Sequence, residues 1–537
     1  VTPSTPPTRP VTPPAPPTRP GAPSAPVRGT IGLPTGFRVV LDPGAERLAD
    51  GVWRGGSPVR VLRLTPAGRA AWRELRDGRV TSPASGVLAR RFTDAGLAHP
   101  CPDPVPYAPD VTVIVPVRDR PGMLDRCLAA LGRAHPVIVV DDGSRDPGKV
   151  AEAARRHGAM LLRHDANRGP AAARDTALAR VRSELVAFVD SDCVPDGAWI
   201  GRLAGHFADP LVAAVAPRVT PLAAGTWSGR YTAVASPLDL GGRSARVDPG
   251  GRVAYVPTAA LVARRAALRD VALGGGGAFD AALRTGEDVD LVWRLHRAGW
   301  RVRYDPSVTV GHDEPPHWGG LLARRFRYGT SAAPLARRHP GGVPPLVLRP
   351  WPALTVAAAL AGRPAVAAAV FGLSVLAKAR AARAAGSPAR GAAPSMLSAV
   401  GRTWLGTGRY GVQFASPLLV LAALAPGATR QPGRPRPGGR ALTRRRLRRL
   451  AALSLLLGPP LTAWAARRPA LGPVRFVCGG LADDIAYGAG VWAGCLAERT
   501  AAPLRPAINP RPHIAPEFPK AATATATATQ TAKKTQT

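Results

Sequence analysis

The chain is 537 residues long and sets 72 Lys and Arg against 35 Asp and Glu, a formal charge of +37, so it exceeds one ordinary core and divides into several units. Lys is scarce while Arg, Ala, Gly and Pro abound, and no basic strand is interleaved with aromatic residues; this argues against nucleic acid and leaves a membrane surface as the partner the charge favours. The five cysteines, Cys101, Cys127, Cys193, Cys478 and Cys495, form no Cys-x-x-Cys pair, which excludes a disulfide framework or cysteine zinc site and fits reduced thiols.

Residues 1–30 repeat Pro, Thr and Ala, a composition that buries too little apolar surface to fold and predicts a disordered tail. The tail lacks the apolar centre of a secretory signal, so the catalytic region is expected to face the cytoplasm. Residues 31–100 hold strand-like runs at Phe37–Leu41 and Val59–Leu64, then helical runs at Ala67–Leu75 and Ser85–Ala95. That order predicts a small winged-helix-like accessory domain. Pro102, Pro104, Pro106 and Pro109 then form a stiff linker.

Residues 108–330 alternate between the two periods. Strands are predicted at Val111–Val117, Val137–Val140, Met160–Arg163 and Leu185–Val189, with helices at Gly122–Gly132, Gly148–His157 and Gly169–Val181. Apolar strands joined by crossover helices imply an α/β fold with a parallel sheet and ligands at the strands' C-terminal ends. Residues 345–500 carry apolar stretches at Pro352–Ala377, Tyr410–Ala425, Leu447–Ala466 and Phe476–Leu496. They are interrupted by Arg363, by Pro459 and Pro460, or by Asp483 and Asp484. This predicts two to four short or interfacial helices holding the chain at a membrane. Arg444, Arg445, Arg446, Arg448 and Arg449 precede one of those stretches, as lipid-facing basic clusters do. Residues 501–537 end in Ala-Thr repeats and are expected to be a disordered tail.

Three acidic motifs fall where ligands bind such a sheet. Val137-Ile-Val-Val-Asp-Asp-Gly-Ser144 is a strand emptying into Asp141 and Asp142, which suits contacts to a base or ribose; alone, the same tetrapeptide is an ordinary turn. Leu185-Val-Ala-Phe-Val-Asp-Ser-Asp192 ends in Asp190 and Asp192, hard oxygen ligands spaced to reach one Mg²⁺ or Mn²⁺. Thr285-Gly-Glu-Asp-Val-Asp-Leu291 opens a helix with Glu287 and Asp288. Either could complement the helix dipole, or take a proton from an attacking hydroxyl. His312, at the end of Val308-Thr-Val-Gly-His312, would complete a two-Asp, one-His metal set. Arg174, Arg294 and Arg297 read as surface charges or local ion pairs, with phosphate contacts as the alternative.

Together with Val111-Thr-Val-Ile-Val-Pro-Val-Arg-Asp119 and Asn167-Arg-Gly-Pro-Ala-Ala-Ala-Arg-Asp175, these motifs resemble family 2 glycosyltransferases of the GT-A fold, a nucleotide-diphospho-sugar transferase fold. The resemblance spans some 200 residues with its five motifs in family order. It implies an inverting, metal-dependent hexosyltransferase in which Asp142, with Asp119, binds the uridine of a UDP-sugar. It further implies that Asp190 and Asp192 hold Mg²⁺ or Mn²⁺, that His312 contacts that metal and that Asp288 is the base, with Glu287 as its substitute. Asp119 departs from the family pattern, which more often has Glu there. Gly36-Phe-Arg-Val39, Gly55-Gly-Ser-Pro58 and Leu481–Cys495 are similar to a branch of the family that adds glucose from UDP-glucose to a peptide-derived redox cofactor precursor. In that branch the small domain resembles a peptide-recognition module. A processive membrane polysaccharide or lipid-linked transferase is the alternative within the fold, but Leu321–Gly329 lacks the Gln-x-x-Arg-Trp stretch that reading requires. A noncatalytic protein presenting a peptide at the membrane is the alternative outside it, and the intact carboxylate set speaks against that.

Overall fold

The computed structural model describes residues 31–103, 110–222, 225–342, 344–384, 389–424 and 439–508. The Pro-rich segment before residue 31, the linker prolines Pro104, Pro106 and Pro109, and the tail beyond residue 508 lie outside the described residues.

The N-terminal module contains β1 (Val39–Leu41), β2 (Glu46–Ala49), β3 (Val52–Gly55), β4 (Arg60–Arg63), α1 (Pro66–Glu74), α2 (Pro83–Ala95) and β5 (Ala98–Pro100). β2, β3 and β4 form an antiparallel sheet, and β1 pairs with β5. β2 is mostly exposed and carries no apolar alternation, so it left no trace in the hydrophobic pattern. α2 starts at a reciprocal cap between Ser82 and Ser85 and stops at Gly96 with φ +72°, conventional start and stop chemistry. Trp53, Trp72 and Phe92 pack ring against ring at 4.7–5.6 Å in the module's core.

One face of α2 is polar and buried. The Arg90 guanidinium donates to both Asp209 carboxylate oxygens at 2.6 and 2.5 Å, with the side chains 3% and 0% exposed. One turn on, Asp94 accepts from Arg301 at 2.8 and 3.3 Å. Burial alone would raise the Asp94 carboxyl, yet the bonded Arg301 brings it down to about 2. The module is thus fastened to the catalytic sheet through ion pairs withdrawn from water.

The catalytic domain runs β6 (Val111–Val117), α3 (Pro121–Leu131), β7 (Val137–Asp142), α4 (Pro147–Arg156), β8 (Met160–His164), α5 (Pro170–Leu178) and β9 (Leu185–Val189). Next come β10 (Cys193–Pro195), α6 (Trp199–Ala204), β11 (Val212–Pro221), α7 (Trp227–Ala235), β12 (Ala245–Arg246) and β13 (Ala260–Arg264). α8 (Arg265–Asp270), α9 (Glu287–Arg297), β14 (Arg301–His312), α10 (Trp318–Thr330) and α11 (Ala332–Arg338) complete it. The strand order is β8-β7-β6-β9-β13-β11-β14-β10, with β12 also on β14. β6 to β9 are parallel, as predicted, but β13, β10 and β12 pair antiparallel with their neighbours, so the sheet is mixed. Alternate residues of β6 feed opposite cores: Ile114 packs with Val140 and Phe188, whereas Val113 and Val115 pack with Leu124 and Leu128. Strands covered on both faces read as continuous apolar runs.

Beyond residue 344 the chain forms β15 (Val347–Leu348), α12 (Pro350–Leu360), α13 (Pro364–Ala384), α14 (Ala392–Leu424), α15 (Gly439–Arg467), α16 (Pro473–Ala497) and β16 (Ala507–Ile508). α14 is kinked at Ala415 just ahead of Pro417, where the proline removes a helix bond. α16 covers the apolar stretch Phe476–Leu496 and buries one face against the catalytic domain. It packs on α10 so closely that a Cβ on Gly329 or Gly490 would stand 2.2 or 2.0 Å from the opposing carbonyl oxygen. Arg325 and Asp483 meet across the same interface at 2.5 Å. The disordered tail expected from residue 501 does not include residues 501–508: Pro503 is buried, Tyr410 donates to the Leu504 carbonyl at 2.8 Å, and β16 pairs with β15.

Removing Arg90 leaves Asp209 charged and unpaired in the interior. Arg90→Met should destabilise the chain by about 3–5 kcal/mol, and adding Asp209→Leu should recover most of that. Thermal unfolding of the two variants checks it; equal melting of Arg90→Met and the parent would show that the pair contributes nothing.

Candidate functional site

The C-terminal ends of β6, β7 and β9 open onto one cavity of 2440 Å³, larger than the roughly 300–1,000 Å³ that a drug-sized ligand occupies. Its wall draws on all three regions: Arg54 to Arg60 of the N-terminal module, the catalytic strand ends, and Ser395, Ala399, Arg402 and Thr403 of α14.

After β6, Asp119 takes a left-handed backbone (φ +55°). Its amide donates to Ser144 Oγ at 2.9 Å and its carboxylate accepts from the Arg145 amide at 2.8 Å, so the β6 and β7 loops are tied together on the cavity wall. Asp142 lines the cavity too. Its carboxylate accepts from the amides of Arg168 and Gly169, each at 2.8 Å, and stands 2.8 Å from His164 Nδ1. Gly143 has φ +72°, and a Cβ there would lie 2.8 Å from the backbone of Ala166 and Asn167, so glycine is required where the two loops cross.

β9 delivers Asp190 and Asp192. Asp190 accepts from Arg174 Nη2 at 2.7 Å, and Asp192 from Arg120 Nη1 at 2.5 Å. Pairing of β10 with β14 puts Cys193 opposite His312, which brings His312 Nε2 to 3.6 Å from Asp192. Burial lowers the His312 pKa against the pull of Asp192, and a neutral imidazole is the form that ligates metals. Its Nδ1 is buried without a hydrogen-bond partner.

α9 opens at Gly286 (φ +85°) with Glu287, Asp288 and Asp290 in its first turn, where the helix dipole favours negative charge. Glu287 is buried and accepts from Arg174 Nη1 at 2.8 Å. One buried guanidinium therefore joins the β9 carboxylate to the start of α9. Asp288 is half-buried and lines the cavity. Burial, then the neighbouring Glu287 charge, push it up to about 7, a value suited to a general base near neutral pH.

Residues 112–270 match the family model described as glycosyl transferase family 2. The Pre-mycofactocin glycosyltransferase of Mycobacterium tuberculosis is 40% identical over 501 residues, covering 89% of this chain and 99% of that protein. The chain belongs to the family 2 glycosyltransferases. Glycosyltransferase AglE of Haloferax volcanii is 30% identical over 234 residues, 41% of this chain and 72% of that protein. Among solved structures, a mannosyltransferase from Pyrobaculum calidifontis is 20% identical with a TM-score of 0.35, covering 66% of this chain and 89% of that one.

Within this glycosyltransferase the sequence-predicted residues separate into two groups. Asp119, Asp142, Asp190, Asp192, His312, Glu287 and Asp288 all line the one cavity. Asp141, expected at the nucleotide, does not: fully buried, it braces the loop by accepting from the Ser144 amide at 2.9 Å and pairing with Arg163. Nor do Asp190, Asp192 and His312 form a ready ligand triad. Among the described residues no three His, Cys, Asp or Glu side chains are grouped to hold a metal, because guanidiniums occupy both carboxylates. The donor set still fits a divalent cation chemically, with two hard carboxylates and a neutral imidazole whose Nε2 faces Asp192 and whose Nδ1 faces Glu314 at 3.5 Å. Arg294 and Arg297 are absent from the wall; Arg294 pairs with Asp290 and Arg297 with His339. Arg174 was undervalued as a surface charge. It is 2% exposed, and nothing in its local sequence signals partners 16 and 113 residues away.

Lysine at position 174 keeps the charge but cannot span two carboxylates in one plane. Arg174→Lys should lower kcat about 10–100-fold, the usual cost of losing an orienting partner, with a smaller change in KM. Steady-state transfer kinetics read both constants; unchanged kcat would remove Arg174 from the site.

Proposed function

We propose that this glycosyltransferase moves glucose from UDP-glucose onto a peptide-derived redox cofactor precursor of mycofactocin biosynthesis, by a metal-dependent, inverting displacement with limited further extension. The carrying observation is that Asp288 and the Asp190–Asp192 turn, linked through Arg174 and Glu287, share the wall of one cavity with room for donor and acceptor together. The near full-length likeness to the Pre-mycofactocin glycosyltransferase supports the pathway.

Asp119 and Asp142 border the nucleotide. Asp190 and Asp192, with His312, would hold Mg²⁺ or Mn²⁺, which when bound neutralises the diphosphate leaving group. Asp288 accepts the proton of the acceptor hydroxyl as that oxygen attacks the anomeric carbon and the bond to the diphosphate breaks, so the configuration inverts. Glu287 is the poorer base because Arg174 already engages its carboxylate.

The C-terminal helices support a site at the cytoplasmic face of the membrane. α13 is 21 residues long, apolar enough by length and composition to cross a bilayer, and almost wholly exposed. Leu373, Leu376, Leu397, Leu418, Leu421 and Leu450 on α13, α14 and α15 are each more than half exposed, far beyond the scattered apolar surface of an ordinary monomer.

Incubation with a panel of UDP-sugars, Mg²⁺ or Mn²⁺ and peptide-derived acceptors should give hexose mass additions with UDP-glucose alone. Asp190→Ala or Asp192→Ala should abolish metal-stimulated turnover, and lipid-linked products or another preferred sugar would replace this reading. Asp288→Asn should keep donor binding but cut transfer by about 10²–10⁴-fold. Protonated Asp288 cannot act as base, so the parent's kcat/KM should rise about tenfold per pH unit below about 7 and level off above it; a flat kcat/KM profile from pH 5.5 to 7 would exclude Asp288 as the titrating base.

A further inference from the structure

The cavity has a second charged pole that the transfer chemistry does not use. Arg54 on β3, Arg349 ahead of α12, Lys378 on α13 and Arg402 on α14 all line it, and the three guanidiniums lie close enough to repel the Lys378 ammonium. Lys378 is half-buried, with Nζ bonded to Ser395 Oγ, and Arg402 donates to Ser398 Oγ at 2.6 Å. Glu46 pairs with Arg54 at 2.5 Å, but α12, α13 and α14 offer no carboxylate. Between Glu314 and Asp483 the sequence holds 24 Arg and one Lys and no Asp or Glu. Like charges gathered from two separate regions, with hydroxyl groups beside them, cost free energy that a bound anion returns.

The surroundings indicate the anion. On α13, Leu373 and Leu376 are 57% and 56% exposed, and on α14 Leu397 is 65% exposed; they lie round their helices from Lys378 and Arg402, on the outer faces of the elements that carry the cations. A free phosphate would satisfy the cations and leave these leucines in water. A phospholipid bilayer supplies a phosphodiester for the cluster and acyl chains for the apolar outer faces of the same helices. We propose that Lys378, Arg402 and Arg349, with Arg54, form a binding site for the phosphate of an anionic phospholipid headgroup, which docks the mouth of the catalytic cavity against the bilayer. This rests on the membrane location proposed above and assigns the residues that set the orientation there.

The test is co-sedimentation of the full chain with phosphatidylglycerol/phosphatidylcholine vesicles and with pure phosphatidylcholine vesicles at about 0.1 M salt, where charges act over about 10 Å. The expected result is that Lys378→Glu/Arg402→Glu weakens binding to the anionic vesicles about tenfold or more, while Lys378→Arg/Arg402→Lys retains it. Neutral Lys378→Gln/Arg402→Gln should fall between them, and should melt at the parent's temperature, which separates lost binding from lost folding. Parent protein that ignores anionic vesicles would remove the membrane reading itself. Parent-like vesicle binding by the charge-reversed variant would remove this site alone, as would thermal stabilisation by millimolar inorganic phosphate without any preference for anionic vesicles.

Discussion

The site depends on one guanidinium. Arg174 holds Asp190 and Glu287 at 2.7 and 2.8 Å from a position on α5 where it is buried beside the Phe279 ring, 5.6 Å from its centroid. Four carboxylates, on Asp190, Asp192, Glu287 and Asp288, share this end of the cavity. Two unit charges 4 Å apart repel by about 4 kcal/mol at the effective dielectric of a protein surface, so the cluster requires fixed positive charge. Arg174 supplies it asymmetrically: Glu287 is held as a paired carboxylate, while the next residue, Asp288, has no such partner and is raised by burial and by the Glu287 charge. Adjacent carboxyls in environments this different titrate apart.

What the sequence made legible follows from how locally each feature is encoded. The apolar run Leu185–Val189 became β9 with the predicted limits, since a strand covered on both faces leaves an unbroken hydrophobic signature. Asp142, Asp190, Asp192, Asp288 and His312 stand out in the sequence because each lies at or next to a strand end or in the first turn of a helix. The orientation of β10 and β13 does not, since hydrophobic period reports burial and is blind to strand direction. Asp141 and Asp142 are neighbours in one motif, yet successive residues of a strand point to opposite sides, so only Asp142 reaches the cavity. Arg174 with Glu287, and Arg90 with Asp209, are joined across 113 and 119 residues; no periodicity carries pairs of that kind.

The buried ion pairs of α2 change what the N-terminal module can be. A module held by Arg90–Asp209 and Asp94–Arg301 is part of the catalytic body, and its β3–β4 turn is a fixed wall of the cavity. Gly56 packs so tightly on the end of α2 that a Cβ there would lie 2.0 Å from the Ala95 carbonyl oxygen. The stretch that matches the family model, residues 112–270, therefore supplies the cavity-lining carboxylates Asp119, Asp142, Asp190 and Asp192 but not the whole chamber. Arg54 to Arg60, Asp288, Arg324, Lys378 and Arg402 come from outside it.

Acid is unevenly distributed in the C-terminal region. After Glu314 no carboxylate occurs until Asp483 and Asp484, and both of these lie on α16, the helix packed on α10. Asp483 meets Arg325, and Asp484 accepts from Arg409 at 2.9 Å and from Gln413 at 2.8 Å. Carboxylates return where a helix must be locked to a protein surface, because an arginine drawn into that contact needs a countercharge. They are missing from α12, α13, α14 and α15, each of which carries a leucine more than half exposed. Helix surfaces that are apolar, cationic and without acid are uncovered among the described residues, and an anionic bilayer matches both properties at once.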